Sequence, residues 1–221
     1  MELLKFFILL ARLSLLRTIL LNFRCLPFVQ AIKLPILVSR NVSLKSMKGD
    51  IIFRCKPKLG LVTLGFSGPA FLDYTCDRGV FELNGSLVFF GSARLGLGVN
   101  LCVNGELQIG DNLQINGRST IICYDLVNIG CNVLISWDVT ILDTDFHPIY
   151  FINGPRINPD RAVSIGNNVW LGFGVKILKG AGIPSGCVIS ASAVVTNKLD
   201  EESCIYAGNK QKLAIGVEWK R

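Results

Sequence analysis

A single histidine, His147, stands in 221 residues. No site needing two or three imidazole ligands can form, which removes the usual zinc hydrolases and carbonic anhydrases, so no metal centre is expected. Only 18% of the residues are charged while 50% are hydrophobic, which excludes extended disorder. The 8 cysteines are scattered without a CxxC pair, in a chain large enough to fold without staples. They read as buried thiols in a reducing cytoplasm. Long apolar runs are also missing. In the first 24 residues no charge-free stretch exceeds that from Phe6 to Ala11, far short of the ~20 residues that span a bilayer. The basic residues lie among aliphatics without an aromatic stacking platform, so nucleic acid is not expected as a partner.

What is present is unevenly placed. The formal charge is +7, yet residues 1–60 hold Lys5, Arg12, Arg17, Arg24, Lys33, Arg40, Lys45, Lys48, Arg54, Lys56 and Lys58 against Glu2 and Asp50 alone. Residues 1–24 contain no Gly or Pro and read as a helix. At 100° per residue its charged positions fall within roughly 140° of arc, leaving a wide apolar face. Val29-Gln30-Ala31 has the form of a leader cleavage site, but Arg12, Arg17 and Arg24 interrupt any hydrophobic leader core. Two readings of residues 1–38 stay open. One is a basic amphipathic segment lying on the inner-leaflet membrane surface; the other is a helix packed on its own domain or a neighbouring subunit.

Beyond residue 90 a period of six sets in. Aliphatic residues stand at Leu97, Val103, Ile109, Ile115 and Ile121, then after a two-residue slip at Ile129, Ile135 and Ile141. The phase returns at Ile165, Leu171, Ile177, Ile183, Ile189 and Val195. A helix would demand 3.6 and an ordinary strand 2, so this beat indicates short flat runs separated by regular corners, a solenoid. A small residue follows many of these positions, as in Ile109-Gly110, Ile129-Gly130 and Leu171-Gly172, and is expected to let the backbone turn the corner. From Asp143 to Ala162 the beat stops, and Ile165 resumes it. Residues 143–162 are therefore a loop thrown out of a continuous coil, with His147 at its base.

The segments IGDNLQ, IGCNVLIS and IGNNVWLGFGVKILKGAGIPSGCVISASAVV resemble the hexapeptide-repeat acyltransferases. The resemblance covers residues 97–200 most strongly. It implies an all-β fold, a left-handed parallel β-helix, spanning residues 39–200 with an N-terminal helix before it and a C-terminal tail, 201–221, after it. Within the family the loop resembles that of sugar O-acetyltransferases of the galactoside and maltose type, and DTDFH a form found in capsule and exopolysaccharide pathways. The resemblance implies that His147, followed by Pro148, takes the proton from a sugar hydroxyl as it attacks acetyl-CoA, with direct transfer in a ternary complex. Asp143 or Asp145 orients the imidazole or serves as a turn-forming carboxylate. Asn116 occupies the place of an acceptor-holding Asn, though Asn at coil corners is common for turn reasons. The oxyanion donor is expected around Gly172 or Phe173.

The same resemblance lays acetyl-CoA along Trp170, Gly172, Phe173, Ala191 and Thr196, with Lys210 and Lys212 near its phosphates. Trp170 has a second reading as a core or interface residue. Where relatives carry a proline after the Ala-Gly-Asn turn, this chain reads Ala207-Gly208-Asn209-Lys210. The resemblance further implies a homotrimer with its sites between subunits and a saccharide acceptor; the scattered thiols suggest the cytoplasm, and the basic, apolar N-terminus suits a lipid-linked saccharide at the inner leaflet. The competing reading is a non-catalytic β-helix, a scaffold or a nucleotide-sugar-binding protein.

Overall fold

The computed structural model describes residues 11–209 and 211–220. Short strands wind into a three-sided prism whose faces are parallel sheets. The first face runs from Ile36–Val38 through Leu113–Gly117, Leu134–Trp137 and Trp170–Leu171 to Cys204–Tyr206. The second runs from Val42–Met47 through Thr120–Cys123 and Thr140–Leu142 to Val194–Val195, and the third from Asp50–Phe53 through Leu126–Ile129 and Val163–Ile165 to Gly182–Ile183. All fourteen residues of the hexad pattern point inward, none more than 3% exposed. Each such side chain contributes about 1.5–3 kcal/mol by leaving water, so every coil is held by the ladder it shares with its neighbours.

The ladders differ from a uniform six-residue beat. Ile115 is in register with Leu95 rather than Leu97, and Ile121 with Leu101 rather than Val103. Leu97 lies against Gly117, and Val103 against Cys123. Register partners stand 20 residues apart from Leu95 through Ile115 to Ile135, and 18 apart from Leu171 to Ile189. The eight-residue step seen between Ile121 and Ile129 thus recurs between Leu101 and Ile109, at the corner from the second face to the third. Strands flanking that corner turn two residues each to the core, such as Ile121 with Cys123 and Val127 with Ile129.

The corners also revise the role of the small residues. Left-handed backbone falls not at Gly110 or Gly130 but two positions later, at Asn112 (φ 59°), Asn132 (φ 57°) and Asn168 (φ 54°), a residue type that tolerates it. Gly110 is small because a Cβ there would run into the backbone of Gly130 on the next coil. Close stacking, not turn conformation, demands it.

The prism reaches further in both directions than residues 39–200. Ile36–Val38 already pairs with Val62–Leu64, and Cys204–Tyr206 continues the first face before Lys212–Ile215 closes it antiparallel. At the other end helix α1, Leu15–Cys25, lies against the first strand. The helix expected over 1–24 breaks at Leu13 and Ser14, where Leu13 bridges to Ser39; residues 1–10, with Lys5, lie outside the described residues. The cysteines are free thiols but not uniformly buried. Cys25, Cys123, Cys187 and Cys204 are buried, whereas Cys76 is exposed. Burial pushes the Cys25 and Cys123 thiols up to about 11 and about 12, so neither supplies a thiolate near neutrality.

Candidate active site

Two corners carry the chemistry. The loop 143–162 leaves between Thr140–Leu142 on the second face and Val163–Ile165 on the third, as the interrupted beat requires. Its root is closed by the Arg161 N–H donating to the Asp143 carbonyl at 3.0 Å. The Asp143 side chain is fully buried, and its two oxygens accept the N–H groups of Tyr124 and Asp125, both at 2.8 Å. It therefore braces the preceding coil.

Asp145 is exposed and acts within the loop. One of its oxygens accepts Lys179 Nζ at 2.5 Å and Asn158 Nδ2 at 2.9 Å. The bond to Lys179, then that to Asn158, holds this carboxyl below its usual range. The anchorage is complete above the ordinary carboxylate range, near pH 4, and is lost only as pH falls through the lowered value.

Asn158 is the residue that sequence reading missed. Buried inside the loop, it donates to the His147 carbonyl at 2.9 Å and accepts the Ile149 N–H at 2.6 Å. The His147 N–H donates to the Asp145 carbonyl at 2.7 Å. The backbone of His147 is thus fixed on both sides while the residue itself stays exposed. Phe146 before it is non-glycine at φ 63° and packs edge-on against Tyr124, with ring centroids 5.7 Å apart. A bulky side chain in that conformation is held by its surroundings, and such positions cluster at functional sites.

The second locus is the corner from the first face to the second. Asn116, half-buried, accepts Gln114 Nε2 at 3.0 Å. Trp137 and Phe173 stack nearby, with centroids 5.5 Å apart and planes at 7°. Phe71 meets Trp137 edge-on at 5.5 Å. It comes from a second excursion, residues 65–78, that the sequence reading did not mark as a loop. Arg118 pins that excursion by donating to Asp77 at 2.7 and 3.1 Å. The Gly172 N–H is already given to the Ile189 carbonyl at 2.8 Å, and a Cβ there would strike Ala191, so Gly172 is a stacking residue and no oxyanion donor. The Phe173 N–H has no acceptor among the described residues and stands at an exposed turn.

An open groove of about 330 Å³ follows, lined by Ser136, Trp137, Trp170, Phe173, Ser190 and Ala191 among others. Trp170, 38% exposed, donates through Nε1 to Ser136 Oγ at 3.1 Å. Its ring is flanked at 6.1 Å by Trp219 from the tail, a neighbour no local sequence signal marks. Thr196 lies beyond the groove and is engaged by Asn209, its N–H donating to Oδ1 at 2.8 Å and its hydroxyl accepting Nδ2 at 2.6 Å. Lys212 is paired with Glu201 at 2.5 Å and Asp200 at 3.5 Å, and the Glu201 bond holds it above the usual lysine range. Both partners lie on its own chain. Lys210 lies outside the described residues. Within one chain the His147 loop leaves from the corner between the second and third faces, whereas Asn116 stands near the end of a first-face strand and Phe173 at the corner from the first face to the second.

No protein-family model matches the chain. WbbJ of Escherichia coli K12, whose name assigns it to lipopolysaccharide biosynthesis O-acetyl transfer, is 33% identical over 133 residues, covering 55% of this chain and 68% of that protein. The chain belongs to the hexapeptide-repeat acyltransferase family. A polysialic acid O-acetyltransferase of Neisseria meningitidis is 42% identical to this family member over 88 residues, 39% of this chain. That match spans only 41% of the Neisseria protein. The crystal structure of the polysialic-acid-specific acetyltransferase NeuO superposes with a TM-score of 0.59 at 22% identity, over 85% of this chain and 79% of that one. The likeness fixes the winding as a left-handed parallel β-helix. No group of three or more His, Cys, Asp or Glu capable of holding a metal occurs among the described residues.

Proposed function

We propose that this family member transfers an acetyl group from acetyl-CoA to a hydroxyl of a surface saccharide, of the capsule, exopolysaccharide or lipopolysaccharide class. The observation that carries the reading is the loop root, where Asn158 and Asp145 fix the backbone of the chain's sole histidine and leave the residue in the open. His147 accepts the proton of the sugar hydroxyl as its oxygen attacks the thioester carbon. The Phe173 N–H holds the oxyanion that forms. The C–S bond then breaks, and the departing thiolate takes the proton back from His147. No acyl-enzyme is required.

The groove beside Phe173 suits the thiol end of a pantetheine arm, with Trp170 and Ala191 as its walls. Asn116 and the stacked Trp137 and Phe173 offer the acceptor a polar contact and flat apolar faces for the carbon side of a sugar ring. Because His147 and Phe173 occupy different corners, the site is completed between subunits of a homotrimer. The loop supports this. Tyr150, Phe151 and Ile152 at its tip are 59%, 62% and 96% exposed, an apolar arm suited to lie on a neighbouring subunit. Eight free cysteines fit a reducing compartment and support a cytoplasmic reaction.

The test is release of CoA from acetyl-CoA by the full chain, screened against free sugars, capsular oligosaccharides and lipid-linked oligosaccharides. The reading expects release that depends on a saccharide acceptor, with an O-acetyl ester in the product. Absence of acceptor-dependent release across that panel, or transfer to an amine in place of a hydroxyl, contradicts it.

A further inference from the structure

Helix α1 is folded inside out. The stripe it buries is Thr18, Leu21, Asn22 and Cys25, which includes its two uncharged polar residues. These seal the open edge of the first strand. Thr18 Oγ1 accepts the Val38 N–H at 3.0 Å, Asn22 Oδ1 accepts the Ile36 N–H at 3.2 Å, and Asn22 Nδ2 donates to the Ile36 carbonyl at 2.7 Å. An unprotected edge would pair with another chain, so this contact is needed. Its consequence is that the larger apolar face looks outward. Leu16 is 77% exposed, Leu20 47% and Phe23 45%, and the next turn adds Phe28 at 70%, Val29 at 67% and Ile32 at 54%. A helix that spends its polar side chains on its own fold and shows leucine and phenylalanine to the outside is built to be covered.

Charge identifies the cover. Residues 11–49 contain seven Lys or Arg and no Asp or Glu. Arg24 and Lys33 are exposed beside the apolar face, and Lys45 and Lys48 on the first coil. None of these four enters a salt bridge among the described residues. A second copy of this face would bring like charges together, whereas an anionic lipid surface satisfies the apolar side chains and the cations at once. No helix among the described residues is long and apolar enough to cross a membrane.

We infer that the N-terminal end of the prism docks on an anionic bilayer, with α1 lying in the headgroup zone and the coils rising away from it. In a cyclic trimer whose subunits meet along their sides, three such faces lie at one end and bind together. That last step, and the lipid-linked saccharide it implies as acceptor, rests on the proposed function; the docking itself does not.

Flotation of the full chain with vesicles of equal phosphatidylglycerol and phosphatidylcholine, against phosphatidylcholine alone, tests it. CoA release to a soluble acceptor is followed in parallel, so that failure of docking and failure of the enzyme reading are told apart. Wild type is expected to float with the anionic vesicles and to be released by high salt. The pair Leu16→Glu and Phe23→Glu should weaken binding at least about tenfold. Charge reversal at Arg24 and Lys33, which touches no buried contact, should do so by about the same factor. Soluble activity and melting temperature should stay unchanged in both. Wild type that stays unbound to the anionic vesicles at low salt overturns the inference. So does self-association of wild type that Leu16→Glu abolishes, which would name a second copy as the cover.

Discussion

Replacing His147 by Ala is expected to lower turnover by at least about a hundredfold, the usual scale for a positioned general base, while the melting temperature stays within a degree or so of wild type. The second half of that expectation follows from the geometry. Every contact made by His147 that holds the loop comes from its backbone, to Asp145 and Asn158, and survives the substitution. A histidine serving only as loop decoration would leave turnover unchanged. Steady-state rates of CoA release, with thermal denaturation alongside, separate the two. The scaffold reading of the fold predicts no acceptor-dependent rate for either protein.

Asp143→Ala should give the opposite signature. The substitution removes two charge-assisted hydrogen bonds at the root of the loop and strips the Tyr124 and Asp125 N–H groups of their acceptor. A loss of about 2–4 kcal/mol is expected, seen as a fall in melting temperature of about 5–10 °C for a chain of this size. Turnover per folded molecule should change little, because both Asp143 side-chain oxygens are engaged by the preceding coil. Asp143→Asn keeps one acceptor and should recover roughly half of the lost stability. A large fall in turnover with stability intact would return Asp143 to the catalytic apparatus.

These two neighbours show what was legible in the sequence. Both carboxylates of Asp143-Thr144-Asp145-Phe146-His147 look equivalent in the chain, and only the register of the coils separates them. Asp143 faces Tyr124, on the coil beneath, whereas Asp145 meets Lys179, on the coil above. The solenoid itself was legible because its aliphatic positions recur along one chain. The recurring eight-residue step was not, since Leu97 and Val103 are as aliphatic as Leu95 and Leu101, the true ladder neighbours of Ile115 and Ile121. The excursion at residues 65–78 went unread because it interrupts coils whose spacing is irregular already. The pairing of Lys212 was illegible for a similar reason. Its carboxylate partners, Asp200 and Glu201, come within reach only when the tail reverses and Lys212–Ile215 pairs antiparallel with Cys204–Tyr206.

Helix α1 carries a more general lesson. An amphipathic pattern locates two faces but does not say which one the fold keeps. Here the first strand needed donors and acceptors more than it needed leucine, so Thr18 and Asn22 turned inward. The handedness of the winding was likewise beyond composition, and came from resemblance and then from the likeness to NeuO.

The proposed site is assembled from two chains, with His147 of one subunit facing the Phe173 N–H of the next. Mixed oligomers test this most directly. His147→Ala removes the base. Phe173→Pro removes the N–H at a turn whose next residue, Gly174, is left-handed (φ 68°), a setting that accepts proline. Each variant alone should be inactive. Co-assembled in equal amounts, they should regain about a quarter of wild-type turnover, since about three quarters of the trimers are then mixed and every mixed trimer holds one junction of three in which both partners are intact. No recovery on mixing, with trimers shown to have exchanged subunits, would contradict the shared site.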